Sequence, residues 1–99
     1  MDQYLENMQL SQTLSIEELI IYAAFNGYEK LIQKMSFSNL NLYWLSDALT
    51  KAAEKGYLEI VKFLIDKGAD IHDFDEGSLR RAACNGHPNV VKYLIIFRL

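Results

Sequence analysis

Cys84 and His87 stand three residues apart, a thiol and an imidazole of the kind that bind zinc. A structural zinc site needs a second ligand pair, and the other histidine, His72, comes without a cysteine. Asp73, Asp75 and Gly77 faintly resemble the start of a calcium loop. Such a loop needs glycine at its sixth position and glutamate at its twelfth; Gly77 falls on the fifth, and the twelfth is Cys84. No metal site is expected. The chain carries no phosphate-binding glycine loop and no dinucleotide fingerprint. Carboxylates are abundant, but none lies beside a pocket-forming apolar run, so acid–base hydrolysis has no support. Nothing beside Cys84 suggests an activated thiolate. The sequence reads as non-catalytic and cofactor-free.

Composition narrows the class further. At 99 residues with 51% hydrophobic content, the chain fits one domain near the lower size limit for a single core. Its longest apolar runs, Leu19 to Phe25 and Tyr93 to Phe97, are far too short to span a bilayer. The acidic start, Asp2 and Glu6, is unlike a secretory signal, and no export is inferred. One cysteine excludes an internal disulfide framework and suits a reducing compartment. The expected setting is the cytosol or nucleus, with no membrane contact. A net charge of -3 gives no broad basic field for nucleic acid. Residues 1 to 29 carry Asp2, Glu6, Glu17, Glu18 and Glu29 and no Lys or Arg. That stretch reads as a solvated acidic face, with recognition of a basic partner as the alternative.

The elements that hold these residues are helical. Residues 49 to 72 form the clearest unit. Leu49, Ala52, Ala53 and Gly56 fall at helical spacing, Gly56 breaks the helix, and a second pattern runs through Leu58, Ile60, Val61, Leu64 and Ile65. Gly68 suits the left-handed turn that follows. Before this unit, residues 2 to 10 are expected to form a capping helix with Tyr4, Leu5 and Met8 on one side. Ser15 and Glu18 have capping-box spacing, which predicts a helix from Ile16 to about Phe25, stopped at Gly27. A second helix is expected over Glu29 to Met35. Ser36 to Leu45, where Leu40, Leu42 and Trp44 alternate, reads as an extended connector anchored by Trp44. Ser46 or Asp47 is expected to cap the helix Ala48 to Lys55. His72 to Ser78 reads as a second, charged connector, with Ser78 capping a helix through Leu79, Ala82 and Ala83. Pro88 opens the last helix, where its missing N–H costs nothing.

The pieces repeat. The pairs Ala23-Ala24, Ala52-Ala53 and Ala82-Ala83 recur 29 and then 30 residues apart, as do Gly27, Gly56 and Gly86. Fixed self-similarity of this kind means a stacked array. Small alanines let the first helices of adjacent repeats approach closely.

The run Ala82 to Ile95, and Ala52 to Leu64 with Gly68-Ala69-Asp70-Ile71-His72 after it, resembles ankyrin repeats. The flavour is similar to the divergent short arrays of large DNA viruses and some protists. The resemblance implies an all-α solenoid of about three helix-turn-helix repeats with trimmed fingers, since the family's repeat is about 33 residues. The divisions expected are a capping segment 1–14, repeat one with its connector 15–45, repeat two 46–76 and repeat three 77–99. The Thr-Pro-Leu-His opening of the family is reduced to Asp47-Ala48-Leu49-Thr50 and Gly77-Ser78-Leu79-Arg80. The Thr and His hydrogen bonds between neighbours are therefore not assured by the motif. His87, by resemblance, occupies a turn position from which it bonds neighbouring backbone.

What the resemblance implies for function is a protein-binding module, in host cytoplasm if the chain is viral. Its partner would meet the concave first helices and the finger tips. The groove candidates are Phe25, Asn26, Glu54, Lys55, Cys84 and Asn85; for the charged ones, solvated surface is the alternative. The finger candidates are His72, Asp73, Phe74, Asp75 and Glu76, with Arg80 at the edge. Phe74 either anchors a partner or tucks under its own finger. Ile95, Ile96, Phe97 and Leu99 lack a polar cap, which points to self-association or to fraying. The competing reading is structural: a degenerate or truncated piece of a longer array.

Overall fold

The computed structural model describes residues 15–35 and 41–98, with Asp75 and Arg98 described by backbone alone. Among these residues six helices follow one another without a strand: α1 Ile16–Asn26, α2 Glu29–Lys34, α3 Leu42–Lys55, α4 Leu58–Asp66, α5 Asp73–Cys84 and α6 Pro88–Arg98. The expected capping helix over 2 to 10, and Leu99, lie outside the described residues.

The helices form two rows. In the inner row α1 packs on α3 and α3 on α5; in the outer row α2 lies against α4 and α4 against α6. Each inner helix also packs on the outer helix that follows it. The alanine pairs set the inner spacing. Ala23, Ala24, Ala52 and Ala53 are wholly buried, together with Ile20 and Leu49. Ile32, Ile60, Val61, Leu64, Val90 and Leu94 fill the space between the rows.

Local chemistry explains the helix ends. Before α1 the Ser15 hydroxyl accepts from the Glu18 N–H at 3.2 Å, and the Glu18 carboxylate accepts from the Ser15 N–H at 3.0 Å. The capping box is thus complete, which is worth about 1 kcal/mol. Gly27 and Gly56 close the inner helices with φ of 77° and 79°, a left-handed conformation that costs a residue bearing Cβ about 1–2 kcal/mol. They have a second reason to be glycine. A Cβ on Gly27 would lie 2.9 Å from the Tyr57 ring, and one on Gly56 would lie 2.5 Å from His87 Nδ1. Tyr57 and His87, the rings that open α4 and α6, each rest on the turn of the preceding repeat.

Two stretches differ from expectation, each in its connector and its cap. The connector over Ser36 to Leu45 does not extend through Leu42–Leu45, which form the first turn of α3. Asn41, rather than Ser46 or Asp47, is the cap; its Oδ1 accepts from the Tyr43 N–H at 2.8 Å. Ser46 is instead buried inside the helix, where its hydroxyl accepts from the Asp70 N–H at 3.0 Å. Trp44, half-buried, sits on this first turn rather than in a loop. Likewise the charged connector after His72 is the first turn of α5. Within it Phe74 and Glu76 take φ of 58° and 62°, so the turn is strained rather than free. Ser78 caps nothing. It is 1% exposed, and its hydroxyl lies 3.4 Å from that of Thr50. Thr50 already donates to the Ser46 carbonyl at 3.0 Å, which leaves Ser78 to donate to Thr50.

The neighbour-to-neighbour hydrogen bonds are therefore present although the sequence motif is eroded. Thr50 meets Ser78 across α3 and α5, and His87 Nε2 lies 2.9 Å from the Glu54 carbonyl.

Candidate functional site

The groove candidates come together at the C-terminal ends of the inner helices, one pair per repeat. Phe25 and Asn26 end α1, Glu54 and Lys55 end α3, and Cys84 and Asn85 end α5. The pairs are linked across repeats. Lys55 Nζ lies 4.6 Å from the centre of the Phe25 ring, a cation–π contact. Arg81 Nη1 donates to Glu54 Oε1 at 3.2 Å. Asn26 and Asn85 turn back on their own helices in the same way, each donating to the carbonyl four residues earlier at 2.8 Å. These contacts are exposed and individually weak. Cys84 is an exposed free thiol.

The finger candidates gather at the N-terminal end of α5, opposite the groove pairs. His72 Nδ1 lies 2.8 Å from Glu76 Oε2. Asp73 Oδ1 accepts from the Phe74 N–H at 3.0 Å, and Arg80 Nη2 donates to the Phe74 carbonyl at 3.2 Å. Asp75 lies in the same turn. Phe74 neither stands free nor tucks fully away. It is half-buried, its ring 5.5 Å from that of Tyr43, which meets Trp44 edge-on at 5.4 Å. The sets are not adjacent: α3 has 14 residues, so they lie about 20 Å apart along the helix axis.

Three further residues border these sets. Leu42 and Tyr43 are 56% and 51% exposed on the first turn of α3, Tyr43 against Phe74, in a stretch that reads from sequence as a connector. The usable signal was Asn41, a strong N-cap residue immediately before them. Arg81, which holds Glu54, occupies the same repeat position as Lys51, one turn before the groove pair.

What the arrangement offers is contact rather than covalent chemistry. His87 is engaged with backbone, away from the zinc role that its spacing from Cys84 raised. Among the described residues, no group of three or more His, Cys, Asp or Glu side chains could hold a metal ion, and no helix is long and apolar enough to cross a membrane.

The family model for ankyrin repeats (3 copies) matches residues 20–98. A putative ankyrin repeat protein of Acanthamoeba polyphaga mimivirus is 31% identical over 93% of the chain. Protein phosphatase 1 regulatory subunit 27 of Homo sapiens is 39% identical over 64% of it, and a probable E3 ubiquitin-protein ligase of Oryza sativa is 40% identical over 54%. The chain spans 14%, 42% and 11% of the length of these relatives. No solved structure matches it significantly.

Proposed function

The chain belongs to the ankyrin repeat family, and from that premise we propose that it is a non-catalytic adaptor whose inner row binds a protein partner. The observation that carries this reading is the strip Phe25–Lys55 and Glu54–Arg81, in which each contact joins one repeat to the next. A surface built from equivalent positions of three repeats is continuous and pre-ordered, as binding without large rearrangement requires. The exposed Tyr43 beside Phe74 adds an aromatic anchor at the finger end, the residue type that dominates binding energy at interfaces. Relatives named as a phosphatase regulatory subunit and a ubiquitin ligase are consistent with repeats that recruit another protein. A cytoplasmic setting belongs to the same proposal.

The test is affinity capture from cytosol by the wild-type chain and by a Tyr43→Ser, Lys55→Glu variant. Both sites are exposed, so the variant should melt with the wild type. A protein retained by the wild type and lost by the variant supports the reading. Equal retention by both removes the inner row as the working surface.

A structural reading, in which these repeats are one length of a longer array, has its own observation. Ala83 is exposed where Ala24 and Ala53 are buried, and Ile95 is 47% exposed against 7% for Ile65. If the chain gains no stability from a synthetic capping repeat fused after it, that reading fails.

A further inference from the structure

The outer row is not featureless. A groove of about 540 Å³ crosses it, shared by α2, α4 and α6. Three of its lining residues are aromatic: Phe63, Tyr93 and Phe97. Phe63 and Tyr93 are half-buried, while Phe97 is 53% exposed and lies 6.0 Å from Tyr93, ring centre to ring centre. Three carboxylates line the same groove, Glu29, Glu59 and Asp66.

The electrostatics favour a cation. Gln33 donates to Glu29 at 3.1 Å, which orients that carboxylate without neutralising it. Asp66 ends α4, where no basic residue occupies the last turn; Lys67 follows as the C-cap, with its Nζ turned over the Phe63 ring, so the Asp66 charge adds to the negative end of the helix dipole. The one lysine among the lining residues, Lys62, pairs with Glu59 at 3.8 Å across two largely exposed side chains, a weak contact that a better cation displaces.

The rings already seat cations. Lys62 Nζ lies 5.5 Å from the Tyr93 centroid and Lys67 Nζ 5.2 Å from that of Phe63. A guanidinium is planar, stacks on aromatic faces and pairs with carboxylates through two parallel hydrogen bonds, none of which an ammonium does as well. The acidic rim disfavours phosphate, and with it nucleic acid and anionic lipid.

We propose that this outer groove is a second binding surface, taking an arginine-bearing apolar peptide segment of a partner protein. It is independent of the inner row and survives if that reading fails.

The test uses the full chain labelled with ¹⁵N and titrated with a short synthetic peptide alternating arginine and leucine, beside a twin with glutamate for arginine. The arginine peptide alone should shift the amides of Lys62, Asp66 and Tyr93. A Glu59→Lys, Asp66→Lys variant should weaken it by about tenfold or more, the loss of paired charge. Asp66→Asn, the milder change, should weaken it in the same direction. Shifts confined to the inner row, equal binding of both peptides, or unchanged affinity in both variants would each overturn the proposal.

Discussion

Gly56 and Gly86 close the same turn of successive repeats, with φ of 79° and 76°. Around them the molecule differs. A Cβ on Gly56 would strike His87, while one on Gly86 would meet nothing within 4 Å. Ala53 is wholly buried where Ala83 is exposed, and Ile65 is 7% exposed where Ile95 is 47%. The helix-turn-helix of a repeat is thus set by its own sequence, whereas burial is set by the neighbour. That is the physics of a one-dimensional stack, in which stability is a sum over repeats and the interfaces between them.

The comparison can be broken at several levels. The largest effect is expected in the inner row. Leu49→Ala, with no exposed surface to begin with, should cost about 3 kcal/mol in denaturant unfolding, against about 1 kcal/mol for the half-buried Leu79→Ala. Equal losses would mean that repeat three is as enclosed as repeat two.

Next come the glycines. Gly86→Ala should cost about 1 kcal/mol from backbone conformation alone. Gly56→Ala should cost about 1–3 kcal/mol more because the His87 ring must also move. In a His87→Ala background that excess should disappear, and persistence of it would show that the ring contact is not the cause.

A smaller effect belongs to Ser46, whose hydroxyl accepts from the Asp70 N–H. Ser46→Ala should cost about 1 kcal/mol and speed exchange of that amide, measured by NMR. Smallest is the exposed strip. Lys55→Ala should change the melting midpoint little, within about 0.5 kcal/mol, because it removes only a surface contact.

Much of this was legible in the residues. The alanine pairs and glycines recur at a fixed interval, and three aligned copies leave few alternatives to a stack of paired helices. Ser15 and Glu18 announced their capping box by spacing alone. The placement of Phe25, Asn26, Glu54, Lys55, Cys84 and Asn85 at the ends of the inner helices follows from the repeat register. What the residues hid was where α3 and α5 begin. Alternating Leu40, Leu42 and Trp44 mimicked a strand, and the helix won because Asn41 caps it and the buried Ser46 is satisfied by the Asp70 N–H. The charges around Phe74 mimicked a loop. There the helix starts through two left-handed residues, a conformation that sequence pattern does not signal. Both misreadings fell on the finger end, where the helix starts are not signalled by pattern.

The central claim is that the inner row, and Asn85 with it, faces a protein partner. It is tested most directly by placing a photo-crosslinking residue at Asn85, or at the exposed Asn89 of the outer helix, and irradiating cells that express the full chain. The account predicts a discrete crosslinked protein from position 85, absent when Phe25→Glu is added, and little from position 89. Equal yields from the two positions, or none from position 85, would contradict it.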